Sequence, residues 1–111
     1  MRRFSRLDAN HRATCDLLRA VGYSVYSTAS LGGSFPDFLV GAKGVNLLLE
    51  MKAVGPKGGM SAGAKRSLKG EAAWAERWRG APVIFATYPQ DALAAVQRAL
   101  GVPDGSEAPP G

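Results

Sequence analysis

Two carboxylates and one amine lie at the ends of two short apolar segments, residues 38–40 and 45–51. Asp37 precedes the first segment, whereas Glu50 and Lys52 close the second. Charged side chains cost free energy to bury, so an apolar strand has no structural reason to carry them into a core. Side chains two apart on a strand share a face, and the glycine-containing turn between the segments is typical of a hairpin. We therefore expect all three side chains to lie together.

The predicted cluster is rich in oxygen atoms. The carboxylates of Asp37 and Glu50 and the backbone carbonyl of Met51 are ligands that hard divalent cations prefer. The structural alternative is a cluster of ion pairs at the end of a sheet. The sequence thus predicts a Mg²⁺ or Mn²⁺ site at Asp37, Glu50 and Met51, with the Lys52 ammonium beside it.

The segments around this cluster predict an α/β domain. Residues 46–52 are apolar on both faces until their last positions, which predicts a central strand covered by helices. The predicted elements are a helix capped by Asp8 that runs to about residue 21, strands at 23–30, 37–40 and 46–52, a helix at 65–79, a strand at 82–86 and a helix that begins near Pro89. This α-β-β-β-α-β-α order predicts a sandwich around a mixed sheet.

The length of 111 residues predicts one domain, which we place at residues 1–100. Residues 101–111 lack an apolar anchor and are predicted to be a disordered tail. No apolar run is long enough to span a membrane, and the N-terminus lacks the apolar region of a signal peptide, so we expect a cytoplasmic protein. The single cysteine, Cys15, agrees with a reducing compartment. With His11 it offers only two ligands, too few for a zinc site.

The net charge of +5 favours a polyanionic partner. Basic clusters at the N-terminus and after the predicted cation site favour DNA or RNA binding that weakens with salt, although a solvated basic surface is the simpler alternative. The glycine-rich segment 53–64 lacks the Gly-Lys-Ser/Thr of a phosphate-binding P-loop, which argues against nucleotide binding. The predicted DNA-binding residues are Arg2, Arg3, Arg6, Lys57, Lys65, Arg66 and Lys69.

The sequence resembles a nuclease superfamily at these positions. Pro-Asp at 36–37 and Glu-Met-Lys at 50–52 resemble the PD-(D/E)xK signature, and residues 32–33 and 74–80 resemble the small VRR-NUC group found in phages and prophages. The resemblance extends over about residues 3–100. It implies a restriction-endonuclease-like fold, a DNA endonuclease that acts on branched or replication and repair DNA in a bacterial or phage-infected cell, and a homodimer.

The resemblance also implies roles for the charged residues. Asp37 and Glu50 would hold Mg²⁺ or Mn²⁺ together with the Met51 carbonyl, while Lys52 would position or deprotonate the attacking water. Asp37, Glu50 and Lys52 are therefore the predicted catalytic residues. In this class a polar residue of the helix after the motif projects toward the site, which makes Glu71 a secondary candidate.

One acidic ligand expected from the resemblance is missing. Many relatives carry a glutamate on the first helix, where this chain matches Ala13. Asp8 or Asp16 could substitute only in a suitable helix phase, and Asn10 is a secondary candidate in the first turn. The gap supports an alternative function, a non-catalytic nucleic-acid-binding module that retains the nuclease fold. A structural subunit of a phage replication or packaging complex is a third hypothesis.

The two tryptophans of the sequence lie on the second predicted helix. We predict that Trp74 and Trp78 anchor this helix to the sheet in the core, with base stacking as the alternative. A dimer face could include Trp78, Phe85 or Tyr88.

Overall fold

The computed structural model describes residues 6–52, 58 and 60–102, except for the side chains of residues 6–8, 64 and 66–69. The chain forms a small α/β domain with a mixed four-stranded sheet and three helices, in the predicted order. The predicted tail from residue 103 onward lies outside the described residues. The elements are α1 (Arg6–Ala20), β1 (Ser24–Ser27), a 3-10 turn (Ala29–Leu31), β2 (Phe38–Ala42), β3 (Val45–Met51), α2 (Ala62–Arg77), β4 (Ile84–Ala86) and α3 (Pro89–Ala99).

The strands lie in the order β1-β2-β3-β4, with the first two pairings antiparallel and the last one parallel. The predicted hairpin between β2 and β3 is confirmed. Ala42 pairs with Val45, and both residues of the turn between them have positive φ, 54° at Lys43 and 76° at Gly44. That geometry matches the twist of paired strands. Since Phe38 pairs with Leu49 in this register, the chain before Phe38 lies beside the end of β3.

The hydrophobic core lies between one face of the sheet and the helices α1 and α3. Alternate residues of β3, Leu47, Leu49 and Met51, join this core. Glu50 of β3 and Lys52 directly after the strand are also buried, but on the face where α2 lies. Burial of both faces confirms the prediction of a central strand.

Several predicted element boundaries are wrong. Asp8 lies inside α1 and is not its N-cap, because the helix already includes Arg6 and Leu7, whose intrinsic helix propensity is high. The first strand ends at Ser27, since Thr28 turns the chain by donating from its backbone N–H to the carbonyl of Asp37 and from its hydroxyl to that of Pro36. Helix α2 begins and ends earlier than predicted.

The prediction that both tryptophans lie in the core is also wrong. Trp74 is half-buried, and Trp78 is 43% exposed. Their rings stack with centroids 5.0 Å apart and planes 15° apart, and Phe35 contacts both rings edge-on. These three residues form an aromatic cluster outside the core, because α2 lies over the charged end of β3 and its aromatic rings meet the Phe35 loop there. Among the described residues, no helix is long and apolar enough to cross a membrane.

Candidate active site

The loop before β2 fixes the position of Asp37. Pro36 is fully buried. Thr28 fixes the backbone at this point, because its hydroxyl donates to the Pro36 carbonyl and its N–H donates to the Asp37 carbonyl, each at 2.6 Å. The Asp37 carboxylate then accepts a hydrogen bond from the backbone N–H of Met51, with 2.9 Å between nitrogen and Oδ2. The side chain of Asp37 is thereby held against the last residues of β3.

Lys52 follows β3 and is held by both its backbone and its side chain. Its N–H donates to the Ala86 carbonyl at 2.8 Å, which continues the pairing with β4. Its Nζ lies 3.5 Å from Oε2 of Glu50 and also contacts the Glu71 carboxylate of α2. The Lys52 side chain is only 4% exposed, so its charge requires these acidic neighbours. Asp37, Glu50, Lys52 and Glu71 form the charged cluster.

Glu50 is the most perturbed group of the charged cluster. Burial raises the pKa of Glu50 from 4.5 to about 9, with further contributions from a hydrogen bond to Glu71 and the negative charges of Asp37 and Glu71. The Lys52 ammonium opposes the shift. A hydrogen bond between two carboxyl groups needs a shared proton, and Glu50 holds it at neutral pH. The cluster thus has too little positive charge for its three carboxyl groups.

His11 is a site residue that the sequence prediction missed. Its Nε2 is buried and lies 3.3 Å from Oδ2 of Asp37, and its ring packs on Phe38 at 5.3 Å between centroids. Helix α1 turns His11, Thr14 and Leu18 toward the sheet, with the Thr14 hydroxyl contacting Sδ of Met51 at 3.8 Å. This spacing of three and four residues was the available signal. Ala13, matched to the missing glutamate, is exposed.

The two secondary candidates have different positions. Glu71 belongs to the charged cluster through its contact with Lys52. Asn10 instead donates from Nδ2 to the Thr87 carbonyl at 3.1 Å, which connects α1 to the segment before α3. Helix α2 therefore contributes to the candidate site, whereas Asn10 has a structural contact.

The predicted DNA-binding residues are described only in part. Arg2, Arg3 and Lys57 lie outside the described residues. Arg6 lies in α1, and Lys65 is exposed on α2. Arg66 and Lys69 also belong to α2. DNA binding by this set stays a prediction.

A divalent cation fits the donor set at Asp37 and Glu50. Glu50 Oε1 is buried and receives no hydrogen bond from the residues that the structure describes, so it has a lone pair available for a cation. The excess of carboxyl groups over Lys52 favours added positive charge. Within those same residues, no three His, Cys, Asp or Glu side chains already converge as a ligand group. The Met51 carbonyl stays a predicted third ligand.

No protein-family model, curated protein or solved structure matches this chain. The resemblance to PD-(D/E)xK nucleases consequently depends on residues 36–37 and 50–52 and on the elements that carry them.

Proposed function

We propose that this protein is a Mg²⁺- or Mn²⁺-dependent deoxyribonuclease with a restriction-endonuclease-like fold. Its substrate would be branched DNA or another replication or repair intermediate. The observation that carries the proposal is the meeting of Asp37, Glu50 and Lys52, which come from two strands, at one end of β3. An ion-pair cluster of structural origin would not need a buried carboxyl with an unused oxygen.

Each residue of the charged cluster has a role in this proposal. Asp37 and Glu50 would hold the cation with the Met51 carbonyl, and the cation supplies polarisation of the phosphate and a lower pKa of the attacking water. The Met51 N–H orients the Asp37 carboxylate. Lys52 positions the water and offsets the negative charge that builds on the phosphoryl oxygens as the water oxygen attacks and the P–O bond to the leaving oxygen breaks; the proton that the water loses ends on the leaving oxygen. Glu71 holds the Lys52 ammonium in place.

The second candidate is a non-catalytic nucleic-acid-binding module. It is favoured by the proton that Glu50 retains at neutral pH, since a neutral carboxyl is a poor ligand for a cation. In this case DNA affinity would survive removal of divalent cations by EDTA, and calorimetry would detect no binding of Mn²⁺.

The decisive experiment is cleavage of plasmid and branched DNA with and without Mg²⁺ or Mn²⁺. We expect cleavage only with the cation, and a loss of rate of at least about 100-fold in Asp37→Ala and Lys52→Ala. Lys43→Ala is the matched control, because Lys43 is exposed in the hairpin turn. Equal rates in the wild type and both cluster variants would assign any cleavage to a contaminant or to another site.

A further inference from the structure

Trp78 presents a large aromatic surface to solvent. One of its faces stacks on Trp74, and 43% of the residue stays exposed. Phe35 contacts the two indoles edge-on, with planes 74° and 85° from theirs. Three mutually packed rings have little freedom to rotate, so Trp78 is held as a rigid platform.

Gly80 lies at one edge of this platform. A Cβ at Gly80 would lie 2.7 Å from Nε1 of Trp78 and 3.5 Å from Cδ1 and Cε2. These distances place the backbone at the Nε1 edge of the indole and not over its face. A glycine at this position therefore lets the chain pass close to the ring while the outer face remains accessible.

Positive charge flanks the exposed ring. Arg77 and Arg79 are the neighbours of Trp78 in the chain, and both are exposed. An exposed aromatic ring with an exposed arginine on each side of it in the chain supplies the two features that bind single-stranded nucleic acid, a surface for base stacking and cations for the phosphates. The two positive charges favour a polyanionic partner over an apolar protein surface.

The platform adjoins the candidate active site. Trp74, the ring beneath Trp78, borders the same narrow cleft as Glu50 and Glu71. A strand whose base stacks on Trp78 would thus have its neighbouring phosphates near the charged cluster.

We propose that Trp78 is a stacking platform for an unpaired base of single-stranded DNA. In a duplex both faces of a base are covered by its neighbours, and exposing one face requires unstacking. The cleaved substrate would therefore carry an unpaired strand beside the scissile phosphodiester. This statement about cleavage depends on the proposed nuclease function, whereas the stacking interaction does not.

The test is a fluorescence titration in EDTA with oligothymidylate and with a duplex of equal length. Both tryptophans of the chain lie in the aromatic cluster, so stacking on Trp78 quenches the signal directly. We expect stronger quenching by the single strand. In fluorescence anisotropy with a labelled oligonucleotide, Trp78→Ala should bind at least about fivefold more weakly and Trp78→Phe should retain most of the affinity. Tyr26→Ala removes an aromatic ring that is 73% exposed elsewhere on the sheet and should bind normally.

Three results would overturn the proposal. The first is an equal affinity of the wild type and Trp78→Ala for the oligonucleotide, and the second is equal quenching by the single strand and the duplex. The third is a dimer in ultracentrifugation that Trp78→Ala dissociates, since the ring would then bind a second copy of the chain. Arg79→Gln is an independent test that leaves the aromatic cluster intact. The loss of one phosphate contact should reduce the slope of log affinity against log salt concentration by about one. Quenching by the single strand without any DNA cleavage would contradict only the nuclease proposal. Cleavage together with normal DNA binding by Trp78→Ala would contradict only the stacking proposal.

Discussion

The two faces of the sheet bury different kinds of residue. On the face covered by α1 and α3, Leu18, Val40, Leu49 and Val96 are all fully buried and apolar. On the face of α2, β3 buries Leu48 and Glu50, Lys52 directly after the strand is buried as well, and the aromatic cluster of this face is partly exposed. One face therefore has the composition of a folding core, while the other gives up apolar burial for charge.

The difference indicates where function lies. A buried ion pair seldom stabilises a protein more than well-packed apolar residues of similar volume would, since desolvation of the charges offsets their attraction. Groups with strongly perturbed pKa values are correspondingly frequent at functional sites. The buried charged residues on the α2 face are thus not explained by a contribution to stability alone.

The largest expected effect is on the apolar face. Leu49→Ala should lower the free energy of unfolding by about 3 kcal/mol, because Leu49 is 0% exposed and its removal leaves a cavity. Leu39→Ala is the matched control on β2, where the leucine is 39% exposed, and should cost less than about 1 kcal/mol. Urea denaturation measures both. Similar losses would show that the two faces contribute equally to stability.

The apolar face is also the part of the fold that the sequence predicts best. Alternation at Leu47, Leu49 and Met51 follows directly from the strand period, and the stripe of Leu93 and Val96 from the helix period. The convergence of Asp37 with Glu50 follows from the hairpin, whose turn is local in sequence. Local periodicity and turn chemistry were sufficient here because the alternation, the helical stripe and the turn each lie within a few residues of sequence.

The α2 face and the α1 contribution could not be predicted in the same way. A shift of two residues in the helix phase exchanges His11 for the exposed Ala13, and the sequence alone does not fix the phase of a helix relative to a particular carboxylate. Tryptophan is a residue type that is usually largely buried. The contacts of Trp74 and Trp78 depend, however, on where the fold places Phe35. Such contacts between distant segments have no local signature.

The second prediction concerns the pH dependence of stability. Glu50 keeps its proton in the folded protein up to about pH 9, whereas its ordinary pKa is 4.5. Between these values the folded state binds more protons than the unfolded state, so the free energy of unfolding falls as the pH rises through this window, and this stabilisation is fully present only below about pH 4.5. Glu50→Gln stays neutral and can still accept from Lys52. Its stability relative to the wild type should therefore increase as the pH rises from 5 to 8, at a slope of up to about 1.4 kcal/mol per pH unit.

Urea denaturation at pH 5, 7 and 8 measures this difference. Glu76→Gln serves as the control, since Glu76 is an exposed glutamate on the same helix as Glu71 and its replacement should leave the pH profile unchanged. A gain of stability in Glu50→Gln that is constant over the whole pH range would exclude a retained proton as its cause.

The third prediction tests a contact between α1 and the charged cluster. His11 comes from α1 and lies against Asp37. Loss of a residue that orients a metal ligand typically weakens metal affinity about 10-fold or more, so His11→Ala should bind Mn²⁺ about tenfold more weakly in calorimetry. Asn10→Ala is the matched control, because it removes the hydrogen bond from the adjacent residue of α1 to the Thr87 carbonyl. This variant should bind Mn²⁺ normally. Equal losses in both variants would indicate a general displacement of α1.

The smallest effect is expected for the stability of the aromatic cluster. Replacing a buried tryptophan by alanine typically costs several kcal/mol, but Trp78 is 43% exposed and packs on Trp74 and Phe35 at the surface. Trp78→Ala should therefore lower the free energy of unfolding by only about 1 kcal/mol. Urea denaturation compares it with Leu49→Ala, and a loss as large as that of Leu49→Ala would place the ring in the core after all. If the loss of stability is small, Trp78→Ala remains folded, and any decrease in its DNA affinity arises from the missing ring itself.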